Sequence, residues 1–217
     1  MKVRASTMPA ATQTQQAWFA TLLLVLCWLG GCSERGVLVQ ALAPDAVILA
    51  FGDSLTHGTG ARKEQSYPVV LAELTGRTVI TDAVPGETTA AAESRLVPAL
   101  EKHEPALVSL CLGGNDMLRK QDRTLMYSRL EQMAKQARGY GAQVLLLGVP
   151  EPKLLGLKAE PGYAELAKRL QLPLENQIIA EVLSDRDLKS DPIHPNADGY
   201  RQIAEAIAAR LRKDGAI

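Results

Sequence analysis

A serine, an aspartate and a histidine in this chain are of the types that nucleophilic hydrolysis requires. Ser54 follows the apolar run 46–51 and the pair Gly52-Asp53, so it stands just past the end of a strand predicted to be buried on both faces. Open α/β sheets bind ligands beyond the carboxyl ends of their strands, which makes Ser54 a candidate nucleophile. A serine at such a place also commonly caps a helix or forms a turn, and on this segment alone that alternative stays open.

A serine nucleophile needs a general base and a group that orients the base. Asp191 and His194 lie three residues apart. At that spacing one tight turn can aim the carboxylate at one ring nitrogen and leave the other ring nitrogen for Ser54. Two further histidines are weaker candidates: His57 is a loop residue that lines the pocket or simply faces solvent, and His103 lies among charged residues at a predicted helix end. His194 is therefore the expected base.

Predicted strands and helices alternate along the chain after residue 45, which favours a parallel sheet with helices on both faces. Strands are predicted at 46–51, 78–82, 106–112, 143–149 and 172–175. Helices are predicted at 66–74, 89–102 with a break near Pro98, 126–137, 163–170, and from Asn196 as a cap onwards. The predicted fold class is α/β, a three-layer α/β/α sandwich with a parallel, flavodoxin-like five-stranded sheet.

Three predicted strands end in polar turns that contain glycine, and a fourth polar segment precedes the last helix, so all four would meet at one edge of the sheet. They are Gly52-Asp53-Ser54-Leu55, Pro85-Gly86-Glu87-Thr88, Gly113-Gly114-Asn115-Asp116, and Asp191 with His194-Pro195-Asn196. In this order the motifs resemble those of the SGNH, or GDSL-type, hydrolase family, over nearly the whole chain after residue 45. The greatest resemblance is to its thioesterase I and arylesterase branch of small bacterial esterases.

The resemblance implies a role for each motif residue. Ser54 would be the nucleophile, His194 the general base and Asp191 its orienter. The oxyanion would be held by the backbone N–H groups of Ser54 and Gly86 and by the side-chain amide of Asn115. A glycine permits close backbone approach, and an asparagine supplies neutral N–H donors. The implied activity is hydrolysis of short- to medium-chain acyl esters (aryl, lipid or thioesters) through an acyl-enzyme, with a small-molecule substrate and no cofactor.

Apolar residues beside these motifs could border the acyl chain of a substrate, as the corresponding loops do in that branch; the alternative is that they pack onto the core. They are Met117, Leu118, Leu154, Leu155 and Leu157. No cluster of His, Cys and carboxylate residues has the spacing of a metal site, so no metal is expected. Asp53 and Asp116 are expected to accept hydrogen bonds within the turns, and Cys111 to be a buried, inert thiol.

The N-terminal residues are typical of an export signal. Lys2 and Arg4 precede the apolar segment 17–29, which is short for a membrane span. Leu29-Gly30-Gly31-Cys32 resembles the lipobox of bacterial lipoproteins. This implies a signal peptide (1–31), lipidation of Cys32, a tether (32–45) and a hydrolase domain (46–217). The lipid anchor would attach an exported lipoprotein to a membrane, in the periplasm or at the outer membrane if the host is Gram-negative; plain cleavage to a soluble secreted protein is the alternative.

The composition disfavours one class of partner and leaves several functions open. The 24 basic residues balance the 24 acidic ones and form no basic block, which argues against nucleic acid. Two other functions fit the same motifs: an O-acetylesterase acting on cell-envelope polysaccharide, and a non-catalytic binding lipoprotein on the hydrolase scaffold. Nothing in the sequence favours a particular oligomeric state.

Overall fold

The computed structural model describes residues 37–151 and 157–217, and a parallel sheet lies at the centre of this part of the chain. The strands are β1 (Val47–Gly52), β2 (Thr78–Ala83), β3 (Leu107–Cys111), β4 (Gln143–Leu147) and β5 (Leu174–Glu175). Their order is β2-β1-β3-β4-β5, and every neighbouring pair is parallel. The predicted α/β fold with a flavodoxin-like sheet is confirmed.

Eight α-helices lie in the described ranges. They are α1 (Ser54–His57), α2 (Tyr67–Thr75), α3 (Thr89–His103), α4 (Gly114–Leu118), α5 (Arg123–Gly139), α6 (Gly162–Leu170), α7 (Ile178–Ser184) and α8 (Ala197–Asp214). Helices α2 and α7 pack against α8, whereas α5 packs against α3 and α6. Because crossover connections are right-handed and the chain reverses direction across the sheet after β2, these two groups cover opposite faces.

The central strands are apolar on both sides because helices cover both faces of the sheet. Every residue of β3 is buried, and so is every residue of β1 after Val47. Helix α8 presents a buried apolar stripe to the sheet, and its start is fixed by Asn196, which accepts the N–H of Gly199 at 3.0 Å as the sequence predicts. Of the helices in the described residues, none is long and apolar enough to cross a membrane.

The direction of the chain reverses around β1. Strand β2 pairs with one side of β1 and β3 with the other, so the chain moves outwards after β1 and then returns past it. The crevice outside the carboxyl ends of strands at such a reversal is where open α/β sheets bind ligands. This topology brings the loops that follow β1, β2 and β3 side by side.

Part of the segment predicted to be a tether packs on the domain. The sequence predicts a tether over 32–45, yet Val39 is fully buried and donates its N–H to the Asp214 carboxylate at 2.9 Å. Leu42 is also buried, and its N–H bonds to the Ala216 carbonyl at 2.9 Å. Residues 37–45 therefore pack on the domain. The predicted signal peptide and Cys32 lie outside the described residues.

Helix α3 is not interrupted near Pro98, contrary to the prediction. It runs from Thr89 to His103 with the proline inside it. A proline in a helix interior removes one hydrogen bond and costs about 3 kcal/mol. The neighbouring Leu96, Ala99 and Leu100 are buried, and their packing offsets that cost.

Candidate active site

Ser54 is the first residue of α1, directly beyond the carboxyl end of β1. The strand ends at Gly52, where a Cβ atom would lie 2.5 Å from the carbonyl oxygen of Cys111, so only glycine fits. Asp53 then caps α1, its Oδ1 accepting the N–H of Leu55 at 3.1 Å. The close packing and the cap turn the chain sharply from sheet to helix and place Ser54 in the crevice.

Ser54, His194 and Asp191 form a continuous hydrogen-bonded triad. Ser54 Oγ lies 3.0 Å from His194 Nε2, and His194 Nδ1 lies 2.7 Å from Asp191 Oδ2. The second carboxylate oxygen, Oδ1, accepts the backbone N–H groups of Ile193 at 2.8 Å and of His194 at 2.9 Å. With Nδ1–H donating to the carboxylate, Nε2 is the nitrogen that can accept the serine proton.

The surroundings of Asp191 favour its ionised form. Partial burial alone would raise its pKa, but hydrogen bonds from the His194 ring and from the two backbone N–H groups outweigh that effect, so the pKa of Asp191 is lowered. An ionised carboxylate at this place stabilises the imidazolium that forms when Ser54 gives up its proton. The geometry can therefore support general-base activation of the serine.

The loops after β2 and β3 carry the other two amide donors implied for the oxyanion hole. Gly86 lies in a turn closed by a 3.2 Å hydrogen bond from the Glu87 N–H to the Val84 carbonyl, and its φ of +78° favours glycine. Asn115 lies in α4, just beyond β3. Since β1 lies between β2 and β3, this placement is compatible with the oxyanion hole implied for Ser54, Gly86 and Asn115, whose roles stay a prediction.

Two side chains from α4 and its C-terminal end hold the loop that carries Gly86. Arg119 Nη2 donates to the Gly86 carbonyl at 2.8 Å, and Asn115 Nδ2 donates to the Glu87 carbonyl at 3.0 Å. Sequence reasoning did not identify Arg119. The only clue to Arg119 in the sequence was its position four residues, or about one helical turn, after Asn115.

A second arginine fixes the side chain that follows Gly86. The Arg95 guanidinium is paired with the carboxylates of Glu87 and Asp82 and lies 4.5 Å from the centroid of the Phe51 ring. Sequence reasoning also missed this cluster, which joins α3, β2 and the loop that follows β2. Through Glu87, the Arg95 cluster anchors the turn that contains Gly86.

The two aspartates beside motif residues accept hydrogen bonds, as predicted. Asp116 accepts the N–H of Thr89 at 2.9 Å and its hydroxyl at 2.6 Å, which fixes the start of α3. Asp53 is 1% exposed. Burial raises the pKa of Asp53 to about 7, although hydrogen bonds from Leu55 and Asn115 and the nearby charge of His194 oppose the rise.

A cavity of about 820 Å³ opens beside Ser54. Six of the side chains that line it are apolar and large: Leu55, Leu118, Val149, Leu157, Leu183 and Ile193. Two of the predicted substrate contacts, Leu118 and Leu157, thus line the same cavity as Ser54. Met117 does not; it is 4% exposed and packs in the core, because on the short helix α4 it faces inwards where Leu118 faces out. Leu154 and Leu155 lie outside the described residues.

The remaining reactive side chains lie outside the cavity or are inert. His57 is exposed and does not line the cavity, and His103 lies at the end of α3. Cys111 is fully buried, and burial raises the pKa of its thiol well above the usual value. In residues 37–151 and 157–217, no group of three or more His, Cys, Asp or Glu side chains could hold a metal ion.

The chain matches the model of the GDSL-like lipase/acylhydrolase family over residues 50–202. Thioesterase 1/protease 1/lysophospholipase L1 of Escherichia coli (strain K12) is 29% identical over 180 residues, which cover 80% of this chain and 86% of that protein. The arylesterase of Vibrio mimicus is 30% identical over 76% of this chain and 88% of its own.

A solved structure has the same architecture. The crystal structure of TesA superposes with a TM-score of 0.70 at 27% sequence identity, covering 77% of this chain and 99% of TesA. The similarity therefore extends over most of both chains and over the elements that carry the triad.

Proposed function

Because the chain belongs to the GDSL-like lipase/acylhydrolase family and is a carboxylic ester hydrolase, we propose that it cleaves short- to medium-chain acyl esters through an acyl-enzyme on Ser54. The observation that carries this proposal is the 3.0 Å contact between Ser54 Oγ and His194 Nε2, with Asp191 behind the histidine. Small-molecule esters, whether aryl, lipid or thioesters, are the substrate class.

The triad supports a two-step reaction. His194 Nε2 takes the hydroxyl proton as Ser54 Oγ bonds to the ester carbonyl carbon; as the tetrahedral intermediate collapses, the bond from that carbon to the alcohol oxygen breaks and His194 protonates the departing alcohol. Water then gives a proton to His194, attacks the acyl-serine and releases the carboxylic acid, while the proton returns to Ser54. The negative charge of both intermediates would rest on N–H donors of Ser54, Gly86 and Asn115.

The shape and lining of the cavity support an acyl ester over an acetylated polysaccharide. Polysaccharide O-acetyl groups need only a shallow polar cleft, whereas Leu118, Val149 and Leu157 provide apolar surface beside Ser54. The polysaccharide alternative predicts acetate release from acetylated glycans and poor turnover of longer acyl esters.

The complete triad supports catalysis over the alternative of a binding lipoprotein. A binding protein has no chemical need for a serine hydroxyl hydrogen-bonded to a histidine that a carboxylate orients. A serine-directed organophosphate separates the two: an enzyme should be labelled at Ser54 and lose activity in proportion, and a binding protein should not be labelled.

We also propose that Cys32 is lipidated and that the protein is an exported lipoprotein, at the outer membrane in a Gram-negative host. The support is the lipobox-like sequence 29–32, with Ser33 after the cysteine. Mass spectrometry of the mature N-terminus tests this. A diacylglyceryl cysteine that is lost in Cys32→Ala is expected, and an unmodified N-terminus would leave the soluble secreted form.

The enzymatic proposal is tested with p-nitrophenyl esters from acetyl to palmitoyl and the purified protein in mild detergent. Turnover should reach a maximum at a short or medium chain and disappear in Ser54→Ala. Ser128→Ala is the matched control, because Ser128 is exposed on α5, away from the cavity, and should leave the rate unchanged. Equal rates for wild type and Ser54→Ala at every chain length would contradict the proposal.

A further inference from the structure

Two cations from the segment that precedes His194 line the cavity together with it. Arg186 and Lys189 both line the cavity beside Ser54. Residues Arg186–Leu188 form a single 3₁₀ turn, and Lys189 follows it directly. One short segment thus brings both cations to the cavity.

These charges are not neutralised within the described part of the chain. Neither Arg186 nor Lys189 forms an ion pair or a side-chain hydrogen bond with another described residue. Of the carboxylates that line the cavity, Asp191 binds the His194 ring and two backbone N–H groups, and Asp53 is buried against Leu55.

The two acidic neighbours in sequence do not line the cavity. Asp185 accepts the N–H of Asp187 through its own side chain, and both residues are absent from the cavity wall that carries Arg186 and Lys189. The cavity thus has positive charge on one side that is available to a ligand.

The position of the general acid identifies the part of the substrate that would meet this charge. His194 must reach the oxygen of the departing alcohol in order to protonate it, so the alcohol leaves along the wall that carries His194. The same segment, between α7 and α8, supplies Arg186 and Lys189. Leu118 and Leu157 line the same cavity from other segments of the chain, and their apolar side chains suit the acyl chain.

We infer that the enzyme prefers esters whose alcohol carries an anionic group, a carboxylate or a phosphate, and that Arg186 and Lys189 bind this group. The inference rests on the proposed esterase function and adds the chemical class of the leaving alcohol. The acyl chain lies against Leu118 and Leu157, and the charged alcohol lies between the cations and His194. These two residues determine specificity and take no part in the proton transfers.

The test compares matched aryl esters of one acyl chain, chosen as the best from the p-nitrophenyl series. The alcohols are 4-hydroxybenzoate, which is anionic, and 4-hydroxybenzamide, which is neutral and of similar shape. Wild type should favour the benzoate ester in kcat/KM by roughly tenfold, which corresponds to about 1.4 kcal/mol. Added NaCl should reduce the preference because the cations are accessible to solvent.

The double variant Arg186→Gln/Lys189→Gln should lose this preference and keep its kcat/KM for the neutral ester. The control Lys102→Gln/Lys168→Gln removes two exposed charges, on α3 and α6, and should keep the preference. Comparing the benzoate-to-benzamide ratio between variants cancels the intrinsic reactivity of the two esters. An acyl ester of 4-hydroxyphenyl phosphate, run in parallel, distinguishes a phosphate site from a carboxylate site by the larger of the two preferences.

The outcomes separate this inference from the function on which it rests. Turnover of the neutral esters that depends on Ser54, with the same benzoate-to-benzamide ratio in wild type and the double variant, overturns the inference alone. No Ser54-dependent turnover of any ester overturns both. A ratio that falls in the double variant and not in the control supports the cationic site.

Discussion

Asn115 Nδ2 donates a 3.1 Å hydrogen bond to Asp53 Oδ2, which ties the loop after β3 to the residue before the nucleophile. The same nitrogen donates to the Glu87 carbonyl at 3.0 Å. Both amide protons are therefore directed by protein acceptors, and the amide plane is fixed before substrate binds. An oxyanion would accept a hydrogen bond from one of these N–H groups alongside its protein acceptor. The two existing hydrogen bonds therefore hold the Asn115 donor in place before the reaction begins.

Replacing Asn115 with alanine should lower kcat by about 10²–10³, or roughly 2.7–4 kcal/mol, with a small change in KM, because the donor acts on charge that develops in the transition state. Steady-state kinetics on the preferred p-nitrophenyl ester measure this effect. A urea unfolding curve of the same variant establishes that the fold persists. A kcat within about threefold of wild type would remove Asn115 from the oxyanion hole.

Arg119 is expected to position Gly86 through the hydrogen bond to its carbonyl. Arg119→Gln should lower kcat by roughly tenfold with little change in KM, since a hydrogen bond from a charged group contributes about 1.5–3 kcal/mol, and Arg119→Lys should recover part of the loss. Arg138→Gln is the matched control, because Arg138 also donates to two backbone carbonyls, those of Leu170 and Gln171, away from the site. Equal kcat losses in Arg119→Gln and Arg138→Gln would indicate a merely structural role.

Asp191→Asn should lower kcat by about 10⁴ at neutral pH while leaving the fold intact. An amide at this place can still accept the two backbone N–H groups, but it presents an NH₂ to His194 Nδ1 and so favours the wrong imidazole tautomer. Stopped-time assays with high enzyme concentration reach the residual rate. Asp198→Asn, in the exposed first turn of α8, should behave as wild type; a comparable loss there would show that the effect is not specific.

The Asp191–His194 half of the triad could be predicted from spacing because its geometry is local, whereas its pairing with Ser54, 140 residues away, followed from the family resemblance of the motifs. Asp191 and His194 share one turn, and Ser54 directly follows a strand whose apolar character shows in the sequence. The alternation of strands and helices likewise indicated the parallel sheet. What the sequence lacked was information about partners distant along the chain.

Two kinds of feature required the structure. Arg119 and Gly86 are 33 residues apart, and no local pattern links an arginine to a carbonyl on another loop. Met117 and Leu118 are adjacent apolar residues on a helix of five residues, too short to show a period, so the sequence could not indicate that only Leu118 faces the cavity. The buried Val39 was missed because a packed extended segment without alternation has the composition of a tether.

Asp53 should make the protein less stable as the pH rises from about 4 to about 7. Burial raises the pKa of Asp53 from 3.8 to about 7, so in this range the unfolded state has released the proton that the folded state still binds. The unfolded state then binds fewer protons, and the free energy of unfolding falls with rising pH. This destabilisation by Asp53 is absent below about pH 3.8 and reaches its full size above about pH 7.

Asp53→Asn removes this titration, and urea unfolding at pH 4, 5.5, 7 and 8 measures it. The variant should gain stability relative to wild type as the pH rises, by up to about 4 kcal/mol at 1.36 kcal/mol per pKa unit. The amide can still cap α1 through its oxygen, but its NH₂ faces the Asn115 donor, so kcat should fall even where stability rises. Parallel stability curves for the two proteins from pH 4 to 8 would contradict a raised pKa at Asp53.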